Sequence, residues 1–240
     1  MNLMTMKNKK NKKAIILLSG GLDSLVSLAV EANKGTKIEL ALTFDYGQKS
    51  FENEKLAAKN IADYYKIENK IIQLDWLKNI TNTSLVKDKE IPQLDIDELE
   101  KKEKTINSMK NVWVPNRNGL FVNIAASFCD SYRYDEIIIG ANKEEAKTFS
   151  DNSKKFVNDM NKVLKTSTNY EVKLNAPLIN MSKNQIIKKA IELNTPIEKI
   201  SSCYNSTTTH CGKCESCQRL KRALLYNKQY EIIEKLFNGR

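Results

Sequence analysis

The chain has 240 residues, 41% of them hydrophobic, and a formal net charge of +10 at neutral pH. This length suffices for one large domain with a buried core, and no apolar run approaches the roughly 20 residues that a membrane-spanning helix needs. The positive charge permits a polyanionic partner such as nucleic acid, but the lysines are spread along the whole chain and identify no partner by themselves.

The N-terminal segment, residues 1–13, is basic and is followed by only five apolar residues. That stretch is short for a signal peptide, and no small-residue cleavage site follows it. We therefore expect a cytoplasmic protein.

The first predicted strand, 14–18, runs directly into the sequence SGGLDS at 19–24, where a predicted helix over 22–33 begins. Adjacent glycines are unusual in a chain with only 8 of them. They indicate either a tight strand-to-helix turn, since glycine tolerates positive φ, or an anion site, since N–H groups at a helix start attract phosphate. The Walker pattern GxxxxGK[ST] does not occur. Ser19 and Ser24 can donate hydrogen bonds there, and Asp23 can help position a magnesium ion.

Strand and helix patterns alternate along the remaining chain. Residues 77–110 are the exception, because they are polar with weak periodicity, and we predict a surface excursion with one short helix there. Alternation of this kind predicts a doubly wound, mainly parallel sheet of five strands in an α/β fold. The further predicted strands are 38–46, 70–76, 111–115 and 135–141, and the further predicted helices are 50–66, 118–134, 153–165 and 183–194, the last with a capping box from Ser182 to Gln185.

Ligands in doubly wound sheets bind beyond the carboxyl ends of the strands, where the winding reverses. With the strand order 3-2-1-4-5, the loop 115–118 after the predicted fourth strand lies beside the SGG turn. Residues 140–142, after the predicted fifth strand, extend the same edge. The sequence therefore predicts one ligand site at this edge.

Four cysteines lie within fifteen residues with the spacing Cys-x7-Cys-x2-Cys-x2-Cys. In a chain without a secretion signal such clustering favours a metal over disulfides. Four thiolates complete a tetrahedral zinc shell, so we expect structural zinc. His210, the only histidine, is an alternative ligand, whereas Cys129 lies in the middle of a predicted helix and is expected in the core. The predicted ligands are Cys203, Cys211, Cys214 and Cys217.

SGGLDS resembles the SGGxDS motif of the N-type ATP pyrophosphatases, or PP-loop enzymes, which have an adenine nucleotide alpha hydrolase-like fold. Four further segments, in the same order, resemble the 7-cyano-7-deazaguanine synthase (QueC) family, and the resemblance covers roughly residues 14–222. These segments are LTFDYGQ (42–48), VPNRNGLF (114–121), APLINMSKNQII (176–187) and SCYNSTTTHCGKCESCQR (202–219). The resemblance implies a PP-loop domain over 14–200 and a small helical zinc-binding region over 201–240.

The resemblance also implies an ATP-dependent ligase that forms a carbon–nitrogen bond. Its substrate is 7-carboxy-7-deazaguanine, which is adenylated, converted to the amide by free ammonia, adenylated again and released as the nitrile. ATP, Mg²⁺ and Zn²⁺ are the implied cofactors, and the product serves queuosine or archaeosine in tRNA. We expect a homodimer without tight nucleic-acid binding.

The matching positions imply roles for individual residues. Lys183 opens a helix, where the helix dipole disfavours a cation, and lysines in this context contact phosphates in related enzymes. Asp23 and Lys183 are therefore the expected catalytic residues. The residues expected to bind ATP are Leu18, Ser19, Gly20, Gly21, Leu22, Asp23, Ser24 and Gly140. Those expected to bind the deazapurine substrate are Tyr46, Gln48, Arg117, Asn118 and Asp151.

The chain departs from its relatives at 149–156, where it has FSDNSKKF and many relatives carry YPDCRPEF. If the missing arginine binds the substrate carboxylate, Lys154 or Lys155 replaces it; otherwise the substrate differs. Two alternatives stay open on the sequence alone. One is a PP-loop enzyme that acts directly on tRNA by thiolation or lysidine formation, and the other is a QueC-like binding or defence protein with an altered substrate.

Overall fold

The structure is a computed structural model that describes residues 11–205, 207 and 209–238. The predicted basic segment 1–13 therefore lies mostly outside the described residues. Within the described ranges, no helix combines the length and the apolar character needed to cross a bilayer.

Five parallel strands form one sheet in the order β3-β2-β1-β4-β5. The central strand β1 is apolar along its length because helices cover both faces of the sheet. Its residues alternate between two buried clusters, with Ile15 on one face and Ile16 on the other. The strands are β1 (Lys13–Leu17), β2 (Lys37–Asp45), β3 (Glu68–Gln73), β4 (Glu136–Ile138) and β5 (Lys173–Asn175).

Helices pack on both sides of this sheet. They are α1 (Leu22–Asn33), α2 (Phe51–Tyr65), α3 (Asp75–Ile80), α4 (Lys102–Val112), α5 (Arg117–Tyr132), α6 (Lys154–Ser167), α7 (Lys183–Glu192), α8 (Glu215–Tyr226) and α9 (Tyr230–Ile233). Helices α1, α2, α7 and α8 contribute to the cluster that contains Ile16, whereas α5 and α6 contribute to the one that contains Ile15. The predicted doubly wound α/β fold is confirmed.

The predicted strand 111–115 is wrong. Val112 ends α4 and the next residues form a loop, while β4 corresponds to the predicted fifth strand and the three-residue β5 was not predicted. Val112 and Val114 are buried on either side of the less buried Trp113, so the alternation that suggested a strand reflects loop packing instead. Trp113 stacks on Phe149 at 6.3 Å between ring centroids. A three-residue strand is too short to produce a recognisable period.

Arg117 nevertheless lies at the predicted edge of the sheet. Helix α5 follows β3 in the chain through the segment 74–116 and precedes β4. The helix of a parallel crossover starts at the carboxyl edge and returns the chain to the opposite one. The position predicted for this loop is therefore right, although the strand from which it was argued does not exist.

The predicted surface excursion 77–110 contains more structure than one short helix. It includes the end of α3 and most of α4. Gln93 forms an isolated antiparallel bridge with Cys214, and the Leu94 N–H donates to the Lys213 carbonyl at 3.1 Å. The segment therefore packs on the cysteine region. Its buried apolar residues, which the polar composition concealed, are Leu77, Leu85, Ile91, Leu94 and Leu99.

The predicted capping box is confirmed at the start of α7. The Ser182 hydroxyl oxygen accepts from the Gln185 N–H at 3.4 Å, and the Gln185 side-chain oxygen accepts from the Ser182 N–H at 2.9 Å. These two bonds satisfy N–H groups that have no partner inside the helix. They define the point at which Lys183 enters the helix.

Candidate active site and cysteine centre

A cavity of about 220 Å³ lies at the carboxyl edge of the sheet, beyond the ends of β1, β2 and β4. It is the site that the topology predicts. Most of the residues that the sequence assigned to ATP, substrate or catalysis line it: Leu18, Ser19, Gly21, Leu22, Asp23, Ser24, Tyr46, Arg117, Asn118, Gly140 and Lys183.

Two glycines allow the chain to pack closely around the turn between β1 and α1. Gly20 has a φ of +76°, and a Cβ there would lie 2.7 Å from the Glu54 carbonyl oxygen. At Gly140 a Cβ would lie 2.7 Å from the Ser24 backbone nitrogen. Both positions therefore require glycine. Gly20 itself does not line the cavity; its positive φ shapes the turn, and its direct contact with ATP stays a prediction.

The first N–H groups of α1 have only distant hydroxyl partners. The Gly21 N–H donates to Ser19 Oγ at 3.4 Å, and the Leu22 N–H donates to Ser202 Oγ at 3.4 Å. The Ser24 hydroxyl donates to the Gly21 carbonyl at 3.0 Å. An anion placed here would receive shorter hydrogen bonds and the favourable end of the helix dipole. The sequence analysis did not identify Ser202.

Lys183 lies between two carboxylates at one side of this turn. Its ammonium contacts Asp23 Oδ2, and Glu145 Oε1 at 2.8 Å. The Asn142 amide also donates to Asp23 Oδ2, at 3.2 Å. In contrast, Asp23 Oδ1 is buried and has no hydrogen-bond partner among residues 11–205, 207 and 209–238. The sequence analysis did not identify Glu145, although it follows the predicted edge residues 140–142 closely.

Burial and charge perturb these groups in opposite directions. Burial raises the pKa of Asp23 to about 6, against the opposing effect of Lys183. Burial would also raise the pKa of Glu145, but the Lys183 charge outweighs it and the pKa of Glu145 falls. Burial would lower the pKa of Lys183, but the charges of Asp23 and Glu145 outweigh it and that pKa rises. The ammonium stays charged between two acids, and the site retains a surplus of negative charge that can attract a cation.

Arg117 and Tyr46 form a second polar group in the cavity. Arg117 Nη1 donates to the Tyr46 hydroxyl at 3.2 Å, and its guanidinium carbon lies 5.8 Å from the Tyr46 ring centroid. Burial alone would lower the pKa of Arg117, but Tyr46 and Asp151 raise it above its ordinary value. The arginine therefore keeps its charge and can bind an anionic substrate group.

The turn that presents Arg117 depends on Asn116 and Gly119. Asn116 has a φ of +48°, and its side-chain oxygen lies 2.2 Å from the position of a Cβ on Gly119. Only glycine at 119 leaves this space to the Asn116 side chain. The Asn118 amide donates to the Asp151 carbonyl at 3.2 Å, which connects the turn to the segment before α6.

Gln48 and Asp151, two residues predicted to bind substrate, do not line the cavity. The Gln48 amide donates to the Phe44 carbonyl and to Glu54 Oε2, both at 2.9 Å, and its oxygen accepts from the Tyr46 N–H at 3.0 Å. Gln48 therefore holds the turn that presents Tyr46. Burial raises the pKa of Asp151, whose Oδ1 has no hydrogen-bond partner. Direct substrate contact by these two residues stays a prediction.

An aromatic pair and an acid complete the wall. Phe44 and Phe121 stack with centroids 3.9 Å apart and planes at 5°. Glu54 lines the cavity, accepts from the Ser50 hydroxyl at 2.5 Å, and has a pKa raised by burial. Phe44 and Phe121 were not predicted as site residues because apolar periodicity does not distinguish a cavity wall from the core.

Lys154 and Lys155 lie away from the cavity. Both are exposed in the first turn of α6, and Lys155 pairs with Asp159 on the same helix. The hypothesis that one of them binds the substrate carboxylate is not supported. Arg117, in contrast, lines the cavity.

The four predicted cysteine ligands converge. The sulfur atoms of Cys203, Cys211, Cys214 and Cys217 all lie within 4.8 Å of one another. Cys214 caps the start of α8, and Cys217 lies in its first turn. Backbone N–H groups of Asn205 and Cys211 each donate to Cys203 Sγ at 3.4 Å. Such bonds stabilise thiolates, and the set can hold a metal ion that prefers four sulfur ligands.

His210 and Cys129 are occupied elsewhere. His210 Nε2 accepts from the Ser202 N–H at 3.0 Å, and Nδ1 lies 3.3 Å from the Leu236 carbonyl oxygen. Both ring nitrogens are used, so His210 is not a ligand. Cys129 is fully buried, and burial raises the pKa of its thiol to about 12. It is a core residue, as expected.

Comparison with known proteins adds independent information. The family described as "Queuosine biosynthesis protein QueC" matches residues 13–228. The chain is 48% identical over 215 residues to the 7-cyano-7-deazaguanine synthase of Methanosarcina mazei, covering 88% of this chain and 93% of that one. It is 50% identical over 213 residues to the synthase of Carboxydothermus hydrogenoformans, covering 88% and 98%. It is also similar to the solved structure of the U34-tRNA thiolase NcsA from Methanococcus maripaludis, at 20% identity and a TM-score of 0.47, covering 95% of this chain and 71% of that one.

Proposed function

Because the chain belongs to the QueC family, we propose that it converts 7-carboxy-7-deazaguanine, ammonia and ATP into 7-cyano-7-deazaguanine. The observation that carries this proposal is the composition of one cavity. The helix-start N–H groups and Lys183 at one side can bind phosphates, and Arg117 with Tyr46 can bind an anionic acceptor. Adenylation of a carboxylate needs these two anions side by side.

The SGG turn and Lys183 would bind the triphosphate. Asp23 and Glu145 hold the Lys183 ammonium, so its charge is already oriented when ATP arrives. Preoriented donors of this kind stabilise charge that develops on the phosphate. The unpartnered oxygen of Asp23, together with Glu145, offers the carboxylate ligands that Mg²⁺ prefers. When bound there, Mg²⁺ would neutralise phosphate charge.

The acceptor chemistry follows in four steps. The substrate carboxylate, oriented by Arg117, attacks the α-phosphorus and pyrophosphate leaves, which gives an acyl-adenylate. Ammonia then displaces AMP, and the amide forms with loss of a proton. The amide oxygen attacks a second ATP, pyrophosphate leaves and the amide nitrogen loses one proton; elimination of AMP with the second nitrogen proton then yields the nitrile. The chain's contribution is to place two anions together and to stabilise the charge that moves onto the leaving pyrophosphate.

One assay tests the proposal. The purified protein is incubated with ATP, Mg²⁺, ammonium and 7-carboxy-7-deazaguanine, and the acid, amide and nitrile are followed by mass spectrometry together with AMP and pyrophosphate. We expect two AMP for each nitrile. Without ammonium we expect no amide and no nitrile. A folded protein that consumes no ATP in the presence of the acid would contradict the proposal.

The alternatives that act on other substrates have no supporting observation. A tRNA thiolase of the type considered above needs a reactive cysteine outside the metal set. The fifth cysteine of the chain, Cys129, is inaccessible and has a high pKa. A catalytically silent binding protein would not need the Asp23–Lys183–Glu145 arrangement.

The proposal includes free ammonia as the nitrogen source, zinc at the cysteine centre and a homodimer. Elemental analysis of protein purified without chelator should find one zinc per chain. Glutamine should not replace ammonium in the assay. Sedimentation should detect a species of twice the chain mass.

A further inference from the structure

Glu144 is a buried acid that contacts two helices at once. Its residue is only 9% exposed. One carboxylate oxygen, Oε1, accepts from the Lys183 backbone N–H at 2.7 Å. The other, Oε2, accepts from Arg219 Nη1 at 3.3 Å and from Arg222 Nη2. Glu144, Arg219, Arg222 and the Lys183 N–H are called the Glu144 cluster below.

The two arginines are themselves held in place. Arg219 donates from Nε at 3.1 Å and from Nη2 at 2.9 Å to Glu215, one turn earlier on α8. Arg222 donates from Nη1 to Glu100 at 2.9 Å. Removing one partner from a buried ion pair leaves an uncompensated charge, which is strongly unfavourable. The cluster therefore has one stable arrangement, and Glu144 cannot shift without breaking it.

Glu144 and its neighbours hold Lys183 both at its backbone and at its side chain. Glu144 binds its backbone N–H, which lies at a helix start and has no partner inside the helix. Glu145 binds its ammonium. The Asn142 side-chain oxygen accepts from the N–H groups of both acids at 2.9 and 3.0 Å, and its amide donates to Asp23. Residues 142–145 thus connect the start of α7 to the start of α1.

The Glu144 cluster also connects this site to the cysteine centre. Helix α8 begins directly after Cys214 and contains Cys217, Arg219 and Arg222. Two of the four clustered cysteines and both arginines that hold Glu144 therefore lie in this one helix or directly before it. Its inner face is buried against α7.

We propose that Glu144, held by Arg219 and Arg222, is a positioning residue for Lys183, and that it couples the cysteine-bearing helix to phosphate binding. The inference rests on the proposed function to the extent that Lys183 binds the phosphates of ATP. Glu144 does not line the cavity, so its effect should appear only through Lys183.

Glu144→Gln tests this inference with little change of shape. The glutamine oxygen can still accept from the Lys183 N–H, but the charge that holds the arginines is lost. The matched control is Glu100→Gln, which removes the other acid on Arg222 at an exposed position. Both proteins are used as metal-bound full chains, with metal content and thermal melt recorded.

We expect Glu144→Gln to weaken ATP binding in calorimetry by about tenfold or more, the factor that corresponds to one charged hydrogen bond. The KM for ATP should rise while the KM for the carboxylic acid stays within about twofold, since Arg117 lies outside the cluster. Glu100→Gln should bind ATP like the wild-type protein. A Glu144→Gln protein with wild-type ATP affinity would overturn the inference.

A double-mutant cycle separates positioning from general destabilisation. In a Lys183→Met background, Glu144→Gln should weaken ATP binding no further, because the residue through which it acts is gone. Equal weakening in both backgrounds would overturn the inference and leave the proposed function intact. A wild-type protein that binds no ATP would overturn both, so the two failures are distinguishable.

Discussion

The SGG turn and the cysteine centre are both built at helix starts, but they differ in how fully their polar atoms are paired. At the cysteine centre four sulfurs face one another and His210 uses both ring nitrogens. At the SGG turn Asp23 Oδ1 has no partner among the described residues, and two N–H groups have partners there only at 3.4 Å. The first arrangement is closed, whereas the second is open to a ligand.

The largest effect should come from breaking the open site. We expect Asp23→Asn to abolish pyrophosphate release that depends on the acid substrate, by at least about 10²-fold, as for loss of one preorganised electrostatic group. The melting temperature should stay equal or rise, because burial disfavours the ionised carboxylate. Pyrophosphate assays and thermal melts measure both. Normal turnover would remove Asp23 from the mechanism.

Breaking the closed site should affect stability first. Cys214→Ala should lose the metal and several kcal/mol of unfolding free energy, a fraction of the roughly 10–16 kcal/mol that structural zinc contributes in small zinc domains. Elemental analysis and denaturant titration are the measurements. Cys129→Ala, the control, should keep a full equivalent of metal. If Cys214→Ala also keeps it, the four-cysteine site is wrong.

A third change compares the two halves of the open cavity. Arg117→Gln should raise the KM of the carboxylic acid by about 10- to 100-fold, the loss expected for one charged hydrogen bond. The neutral amide intermediate, supplied directly, should be converted almost as before. Lys155→Ala is the control, since Lys155 is exposed and paired with Asp159. An increased KM in the Lys155 variant alone would reassign carboxylate recognition to α6.

The pH dependence of stability should show a smaller effect. The pKa of Asp23 is raised from an ordinary value of 3.8 to about 6, so the folded state binds its proton more tightly than the unfolded state. Its contribution to stability is present below pH 4 and is lost as the pH rises to about 6. We expect a loss of about 1–3 kcal/mol over this window, at about 1.4 kcal/mol per pKa unit.

The Asp23→Asn variant isolates that contribution. Lys183 and Glu145 face Asp23, and the lowered pKa of Glu145 acts in the opposite sense. The difference between wild-type and Asp23→Asn unfolding free energies across pH 4–6 therefore reports Asp23. A constant difference would show that Asp23 has an ordinary pKa.

The weakest signal should be the binding of RNA. The lysines are spread along the sequence rather than gathered in one segment, so tRNA binding should be weak and should fall steeply with salt. Filter binding at two salt concentrations measures it. A tight complex that persists at high salt would favour the alternative in which tRNA is the direct substrate.

Features that depend on a few neighbouring residues were predictable from the sequence. The strand, glycine turn and helix at 14–33 follow from apolar runs and from glycine's conformational freedom, and α1 was predicted with its observed bounds. Ser182 and Gln185 predict the start of α7 because the residues of a capping box lie within four positions of the sequence. The cysteine spacing likewise predicted one cluster.

Features that depend on distant partners were decided by the tertiary structure. Lys183 and Asp23 are 160 residues apart, and Arg219 and Glu144 are 75 apart. Alternating burial at 112–114 imitates a strand, whereas β5 is too short to produce a period. Local propensities extend over a few residues, but the pairing of buried charges and the choice of strand neighbours depend on which surfaces the folded chain brings together. The sequence alone therefore identified the turn, the helix start and the cysteine cluster, and the fold alone placed Glu144 and Glu145 around Lys183.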